Sequence, residues 1–250
     1  MEKIIKRIHQ IFINDEKTLP SNIHAYTNRC VNTLRVNYPT ADYKIWTAEE
    51  IEALLYKFDP RVFEAYNNLL PYAYKADLAR YCILYEFGGL YVDLNIELLN
   101  TLESTITDFK DKNFFAFRDE SEESRRSWSV CNGFIYTEPN SPIMSKAIDI
   151  VIENVKKKFY GRSPSEPTGP IVLGKAIMNY DIDTISTAGQ FQCIINDKQY
   201  SRYAFVADDS KMIVALWKHT DLMNQWNFET LRFTGTNNYR NLWANNNVYK

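Results

Sequence analysis

The sequence predicts an α/β fold, on three observations. Short apolar, β-prone runs alternate with stretches of helical periodicity, and neither an internal repeat nor a low-complexity linker divides them. The first run, from Lys3 to Ile13, has few polar breaks, which is the pattern of a parallel strand covered on both faces. Length agrees: 250 residues suit one large domain able to bury about three quarters of its unfolded surface. Strand–helix alternation then implies a mostly parallel central sheet flanked by helices, with ligands at the carboxyl ends of the strands.

The elements follow in order. Asn22 to Val36 reads as a helix and Asp42 to Trp46 as a second strand. Thr47 before Ala48-Glu49-Glu50 is a capping sequence for a helix reaching Tyr56, because Thr47 and Glu50 can satisfy each other's backbone N–H groups. Leu78, Tyr81, Cys82 and Tyr85 recur at helical spacing, so that helix has a core face. It stops at Gly88-Gly89 and turns into a strand from Leu90 to Leu94. Phe114–Arg118 and Val130–Thr137 read as strands, and Ser141-Pro142 opens a helix running to about Phe159, with proline in its first turn. The chain turns irregular after Gly161 until Gly169-Pro170 starts a short helix. Phe191–Ile195 and Met212–Trp217 are short strands among aromatic, Asn-rich loops.

Composition narrows the function. A hydrophobic content of 45% and a charged content of 24% are globular values, and a net charge of −2 argues against general nucleic-acid binding, which needs a basic footprint. Cys30, Cys82, Cys131 and Cys193 are widely spaced, so neither a zinc site nor a disulfide framework is expected. Lys6, Arg7, His9 and Gln10 interrupt the first apolar run, which therefore does not read as a signal peptide. No apolar stretch approaches the ~20 residues of a membrane helix. The expectation is a cytoplasmic chain. Lys156-Lys157-Lys158 reads as a solvated helix face, with peripheral contact to anionic lipid as the alternative.

The chemistry concentrates around one helix and the strand after it. Along an extended strand, Asp93, Asn95 and Glu97 would share a face while Val92, Leu94 and Ile96 take the other. Carboxylate and amide oxygens are hard ligands suited to Mg²⁺ or Mn²⁺, which takes one or two protein carboxylates plus substrate phosphates. A solvated strand edge is the alternative. Asp77 and Arg80 are neighbours on the helix surface. They form either an ordinary ion pair, or a site where Asp77 accepts sugar hydroxyls and Arg80 makes charge-assisted contacts to phosphate. His9, inside an apolar strand, reads as a satisfied core histidine.

Ala73 to Leu98 as a whole resembles the DXD-containing glycosyltransferases of family 32 and their relatives, including large glucosylating toxins and yeast-type mannosyltransferases. The resemblance lies in an Asp77-x-x-Arg80 helix, the Gly88-Gly89 turn, and the Tyr91-x-Asp93-x-Asn95 strand end. Ile8-His9-Gln10-Ile11-Phe12, Tyr38-Pro39 with Tyr43-Lys44-Ile45-Trp46, Asn132-Gly133-Phe134-Ile135 and Thr168-Gly169-Pro170 resemble further blocks. It implies a GT-A-type fold and one glycosyltransferase domain over residues 1–250, with 1–100 as the donor-nucleotide half and about 101–250 as the acceptor side and C-terminal loops. It also implies transfer of a hexose, with retention, from a nucleotide-diphosphate sugar to a hydroxyl of a glycan or lipid-linked glycan. UDP-hexose is the favoured donor and GDP-mannose the next.

By the same resemblance Asp77 and Arg80 are the catalytic residues. Ile11, Phe12, Asp77, Arg80, Asp93, Asn132 and Trp226 bind the donor, Phe12 by stacking on its base; the residues alone read equally as a core phenylalanine at Phe12 and an ordinary turn at Asn132-Gly133. Asp93, Asn95 and His219 hold Mn²⁺ or Mg²⁺. Asn95 departs from the family pattern, which has a second Asp there. The site loses a negative charge, and either Asp93, the diphosphate and a C-terminal ligand hold the metal, or Glu97 compensates, or activity is reduced or absent. The last case is a silent sugar-nucleotide or glycan-binding protein. Asn237–Tyr249, rich in Asn, Tyr and Trp, is expected to form a lid or part of the acceptor groove.

Overall fold

A computed structural model describes residues 5–21, 23, 25–120, 127–178, 180, 186–196, 201–219 and 237–250. The first half runs β1 (Arg7–Phe12), α1 (Ala25–Asn37), β2 (Asp42–Thr47), α2 (Ala48–Phe58), α3 (Pro60–Asn68), α4 (Tyr72–Phe87), β3 (Gly89–Val92), β4 (Ile96–Leu98) and α5 (Leu102–Thr105). After a 3₁₀ turn at Phe109–Asp111 come β5 (Phe114–Asp119), β6 (Val130–Thr137), α6 (Pro142–Lys156), α7 (Pro170–Ile177), β7 (Ser186–Asn196), β8 (Ser201–Ala207), β9 (Ile213–His219) and α8 (Tyr239–Ala244).

The strands form one sheet in the order β2-β1-β3-β6-β5-β7-β8-β9-β4. The α/β class holds, but the sheet is mixed rather than mostly parallel. β1 pairs in parallel with β2 and β3, and β5 with β7, while the other five ladders are antiparallel. The reason is that, among the described residues, no crossover helix joins β5 to β6 or links β7, β8 and β9, and only such a crossover makes neighbours parallel. The chain also jumps from β3, in the middle of the sheet, to β4 at its far edge within the turn Asp93-Leu94-Asn95.

The sheet divides two cores, and its strands alternate between them. Tyr91, Phe114, Ala116 and Ile135 face one, with α2, α3, α4, α6 and α7. Leu90, Val92, Phe115, Phe117 and Phe134 face the other, with α1 and β4. With both faces covered, a strand has no solvent side, which is why every residue of β6 is buried, Asn132 included.

Local signals explain most boundaries. The Thr47–Glu50 capping box is present, with Thr47 N–H donating to Glu50 Oε2 at 3.0 Å and Glu50 N–H to Thr47 Oγ1 at 3.4 Å. Asp59 caps α3, with Pro60 at its first position, an element the periodicity had not marked. Gly88 and Gly89 have φ of 60° and 97°, and a Cβ on Gly89 would lie 2.7 Å from the Arg7 carbonyl. Only glycine both ends α4 there and lets β3 close against β1.

His9 is the core histidine the sequence suggested. Its Nε2–H donates to the Gly88 carbonyl at 2.9 Å, and its Nδ1 accepts from the Trp46 indole at 3.2 Å, a pattern that requires the neutral ring. Burial pushes its pKa from 6.5 down to about 4. The unfolded chain therefore takes up this proton near pH 6.5 and the folded chain only near pH 4, so stability falls as pH drops through that window. The expected loss is about 3 kcal/mol. Urea unfolding between neutrality and acid should show it, and His9→Gln should flatten that part of the slope. An unchanged slope in the variant would assign the acid sensitivity to other groups.

Candidate active site

The middle of helix α4 is buried all round, with every residue from Asp77 to Leu84 enclosed, so it has no polar stripe there on which to place a charge. Asp77 and Arg80 therefore have to be paired inside the protein. Arg80, 5% exposed, does most of that pairing. Its Nη2 stands 3.1 Å from Asp77 Oδ1 and its Nη1 stands 3.3 Å from Asp93 Oδ1. Nη1 also donates to the Asn132 carbonyl at 2.6 Å and Nε to the Ala76 carbonyl at 3.2 Å. The guanidinium lies 4.6 Å from the centre of the Tyr91 ring, and the Tyr91 hydroxyl donates to Asp93 Oδ1 at 2.7 Å.

Asp77 is held from three sides. Besides Arg80, Asn132 Nδ2 donates to Oδ1 at 2.8 Å and Thr168 Oγ1 donates to Oδ2 at 2.7 Å. Burial pushes the Asp77 carboxyl above the ordinary carboxylate range, while Arg80, Thr168 and Asn132 act in the opposite sense. Three donors on one carboxyl make the anion the form this setting accommodates. Burial likewise lowers the Arg80 pKa, and Asp93, Tyr91 and Asp77 more than reverse it, so the guanidinium stays charged. The Tyr81 hydroxyl reaches the carbonyls of Thr168 and Gly169 at 3.0 and 3.3 Å, tying the irregular segment before α7 to the same cluster.

These groups form one wall of a cavity of about 310 Å³ at the carboxyl end of β3. Tyr74 and Tyr239 border it on one side, and Asn95, Asp119, Tyr203 and Trp217 on another. The Asp93 N–H donates to the Gly133 carbonyl at 2.8 Å, and a Cβ on Gly133 would come within 2.7 Å of Asp93 Oδ2. Asn95 Oδ1 accepts from the Trp217 indole N–H at 2.6 Å.

Asp77, Arg80, Asp93, Asn95 and Asn132 thus converge on one cavity as the sequence suggested. The shared face of Asp93, Asn95 and Glu97 does not exist. β3 ends at Val92, and the Ile96 N–H donates to the Asp93 carbonyl at 3.1 Å, closing a turn that breaks the alternation. Glu97 sits on β4, where its Oε1 accepts from Arg29 at 2.6 and 2.9 Å. It does not line the cavity and so does not stand in for a second carboxylate. Ile11 and Phe12 are buried at the carboxyl end of β1 and do not line it either. His219 ends β9, its backbone opposite Arg202. Trp226 lies outside the described residues. Asp119 and Trp217 were missed. The signal for Asp119 was a carboxylate closing the buried face of Phe115 and Phe117, and for Trp217 there was none. Asn237–Tyr249 is no lid in this structure. Tyr239 borders the cavity, and beyond it the chain is fastened to the body by Leu70 N–H to the Val248 carbonyl at 2.9 Å and Trp243 Nε1 to the Tyr160 carbonyl at 2.7 Å.

A curled mixed sheet flanked by helices, with an Asp-bearing turn at its carboxyl edge, is the architecture of GT-A-type domains. The PaToxG glycosyltransferase shares it with a TM-score of 0.51 over 70% of this chain and 69% of that one, at 20% identity. The sequence model for the "glycosyltransferase sugar-binding region containing DXD motif" matches residues 24–112. An uncharacterized glycosyltransferase of Acanthamoeba polyphaga mimivirus is 30% identical over 207 residues, 76% of this chain and 74% of that protein. Inositol phosphoceramide mannosyltransferase 1 of Schizosaccharomyces pombe is 38% identical over 103 residues, 38% of this chain and 29% of the yeast protein. The chain belongs to the DXD-containing glycosyltransferases of the family 32 type, and it is a glycosyltransferase.

Removing Arg80 leaves Asp77 with an uncompensated buried charge and takes from Asp93 its cationic partner. Arg80→Ala is expected to cost about 3–5 kcal/mol in urea unfolding. Adding Asp77→Asn should recover part of it, with a coupling of ~1–3 kcal/mol in the double-mutant cycle. Additive losses would show that the two groups do not act together.

Proposed function

We propose that the cavity takes a nucleotide-diphosphate hexose and transfers the hexose to a hydroxyl of a glycan or lipid-linked glycan, with retention of configuration. The observation that carries this reading is Asp93. It commits Oδ1 to Tyr91 and Arg80 and leaves Oδ2 over Gly133, at the cavity wall. Two donors stand first, UDP-linked hexose and GDP-mannose. The second draws support from relatives named as mannosyltransferases, among them the yeast initiation-specific alpha-1,6-mannosyltransferase, 24% identical over 168 residues.

Mn²⁺ or Mg²⁺ fits this donor set, provided the diphosphate supplies the remaining oxygens. Among the described residues no group of three His, Cys, Asp or Glu could hold a metal unaided. Asp93 would be its carboxylate ligand. Asn95, whose oxygen already accepts from Trp217, offers at most its second lone pair. When bound, such an ion neutralises charge on the leaving diphosphate.

The chain's own residues do the positioning. Asp77, fastened on both oxygens, is suited to accept a sugar hydroxyl and fix the ring rather than to attack carbon. Arg80 acts through Asp77, Asp93 and the Asn132 carbonyl. In same-face displacement the bond from the anomeric carbon to the diphosphate oxygen breaks and the acceptor oxygen bonds to that carbon. The acceptor's proton goes to the departing phosphate oxygen.

The test is release of free nucleotide from a panel of nucleotide sugars with Mn²⁺ present. Wild type is expected to turn over at least one donor, and Asp93→Ala to lower kcat/KM by about 10²–10³-fold. Gly133→Ala should fold yet lose much of that activity, because its Cβ displaces the Asp93 carboxylate. Undiminished turnover in Asp93→Ala would remove Asp93 from the reaction. Nucleotide-sugar binding with no turnover on any acceptor would favour the silent binder that Asn95 suggests.

A further inference from the structure

The Trp217–Asn95 hydrogen bond fixes which end of the Asn95 amide faces the indole and which is left for other partners. An indole N–H only donates, so the atom it meets at 2.6 Å has to be the amide oxygen, and the NH₂ group points away from Trp217. Rotating the amide by half a turn would set two donors face to face. The indole itself is held in place, its ring centroid 4.8 Å from that of Phe191 and 6.2 Å from that of Tyr203. Asn95 lines the cavity, and its Nδ2 has no hydrogen-bond partner among the described residues. Arg80, the one cation on this wall among the described residues, has its guanidinium on Asp77, Asp93 and the Asn132 carbonyl and is 5% exposed.

We infer that Asn95 acts as a hydrogen-bond donor, its Nδ2 binding an oxygen of the ligand's diphosphate directly, with Trp217 as the positioning residue that aims it. The inference rests on the nucleotide-diphosphate reading of the cavity and adds to it the recognition of the phosphate. A carboxylate at this position would also accept from Trp217, but it would turn its second oxygen to the cavity, and that anion would repel a diphosphate unless a cation lay between them. The amide instead meets the phosphate oxygen as a donor, so diphosphate binding by this chain depends less on metal than it would with a carboxylate at this position.

Calorimetric titration of the purified chain with UDP, GDP and inorganic pyrophosphate, each in EDTA and in Mn²⁺, tests this. Wild type should bind at least one of these in EDTA. Asn95→Asp should lose affinity in EDTA by about tenfold or more, recover most of it in Mn²⁺, and bind free Mn²⁺ more tightly than wild type. Trp217→Phe, which frees the amide to turn, should lose about threefold or more in EDTA while keeping the wild-type response to Mn²⁺. Asn95→Ala removes the donor without adding charge and should also lose affinity in EDTA, which keeps the test decisive if Asn95→Asp fails to fold. Wild-type affinity for pyrophosphate and nucleotide in folded Asn95→Asp or Asn95→Ala, measured in EDTA, overturns the inference and leaves the glycosyltransferase reading standing. Failure of wild type to bind any of these probes, with or without Mn²⁺, overturns the diphosphate reading and the inference with it.

Discussion

One buried guanidinium organises this molecule. Arg80 sits in the enclosed middle of a helix, and a charge there is tolerated only if its neighbours neutralise and hydrogen-bond it. The neighbours it recruits come from three places in the chain: Asp77 one helical turn back on α4, Asp93 in the turn after β3, and the Asn132 carbonyl on β6. Satisfying Arg80 therefore sets the distance between the helix layer and the two central strands. Through Asn132 and Thr168, both donors to Asp77, it also fixes the edge of the segment leading into α7. The cavity is the space left on the open side of this cluster.

The electrostatics follow. Three carboxylates, Asp77, Asp93 and Asp119, line the cavity with Arg80, which is pulled back into the wall. Such a wall suits hydroxyl groups, which donate to carboxylates, and calls for a cation or neutral donors wherever phosphate approaches. The replacement of a carboxylate by Asn95 lowers the negative charge of the Asp93–Asn95 turn.

Elements governed by local rules were legible in the sequence. Val130–Thr137 was read to its ends because a strand buried on both faces is a mostly apolar run, here broken by Asn132. The Thr47 helix was read from its capping box, and Asp77, Arg80 and Asp93 from a motif whose parts lie close in the chain. What failed depended on long-range pairing. Alternation was carried past Val92, where the chain leaves the sheet for β4 at the opposite edge, so Glu97 was placed with Asp93 when it belongs with Arg29. A mostly parallel sheet was expected because the antiparallel pairing of β6 with β5 and of β8 with β7 and β9 leaves no mark in an apolar pattern. The Trp217–Asn95 bond joins residues 122 apart, which no local periodicity can report.

The most direct test of this account is a crystal structure of the chain with UDP or GDP and Mn²⁺. The account predicts the diphosphate in the cavity beside Asp93 and Asn95, with Arg80 still on Asp77, Asp93 and the Asn132 carbonyl. A diphosphate bound elsewhere, or Arg80 released from Asp77 to grasp phosphate, would contradict it.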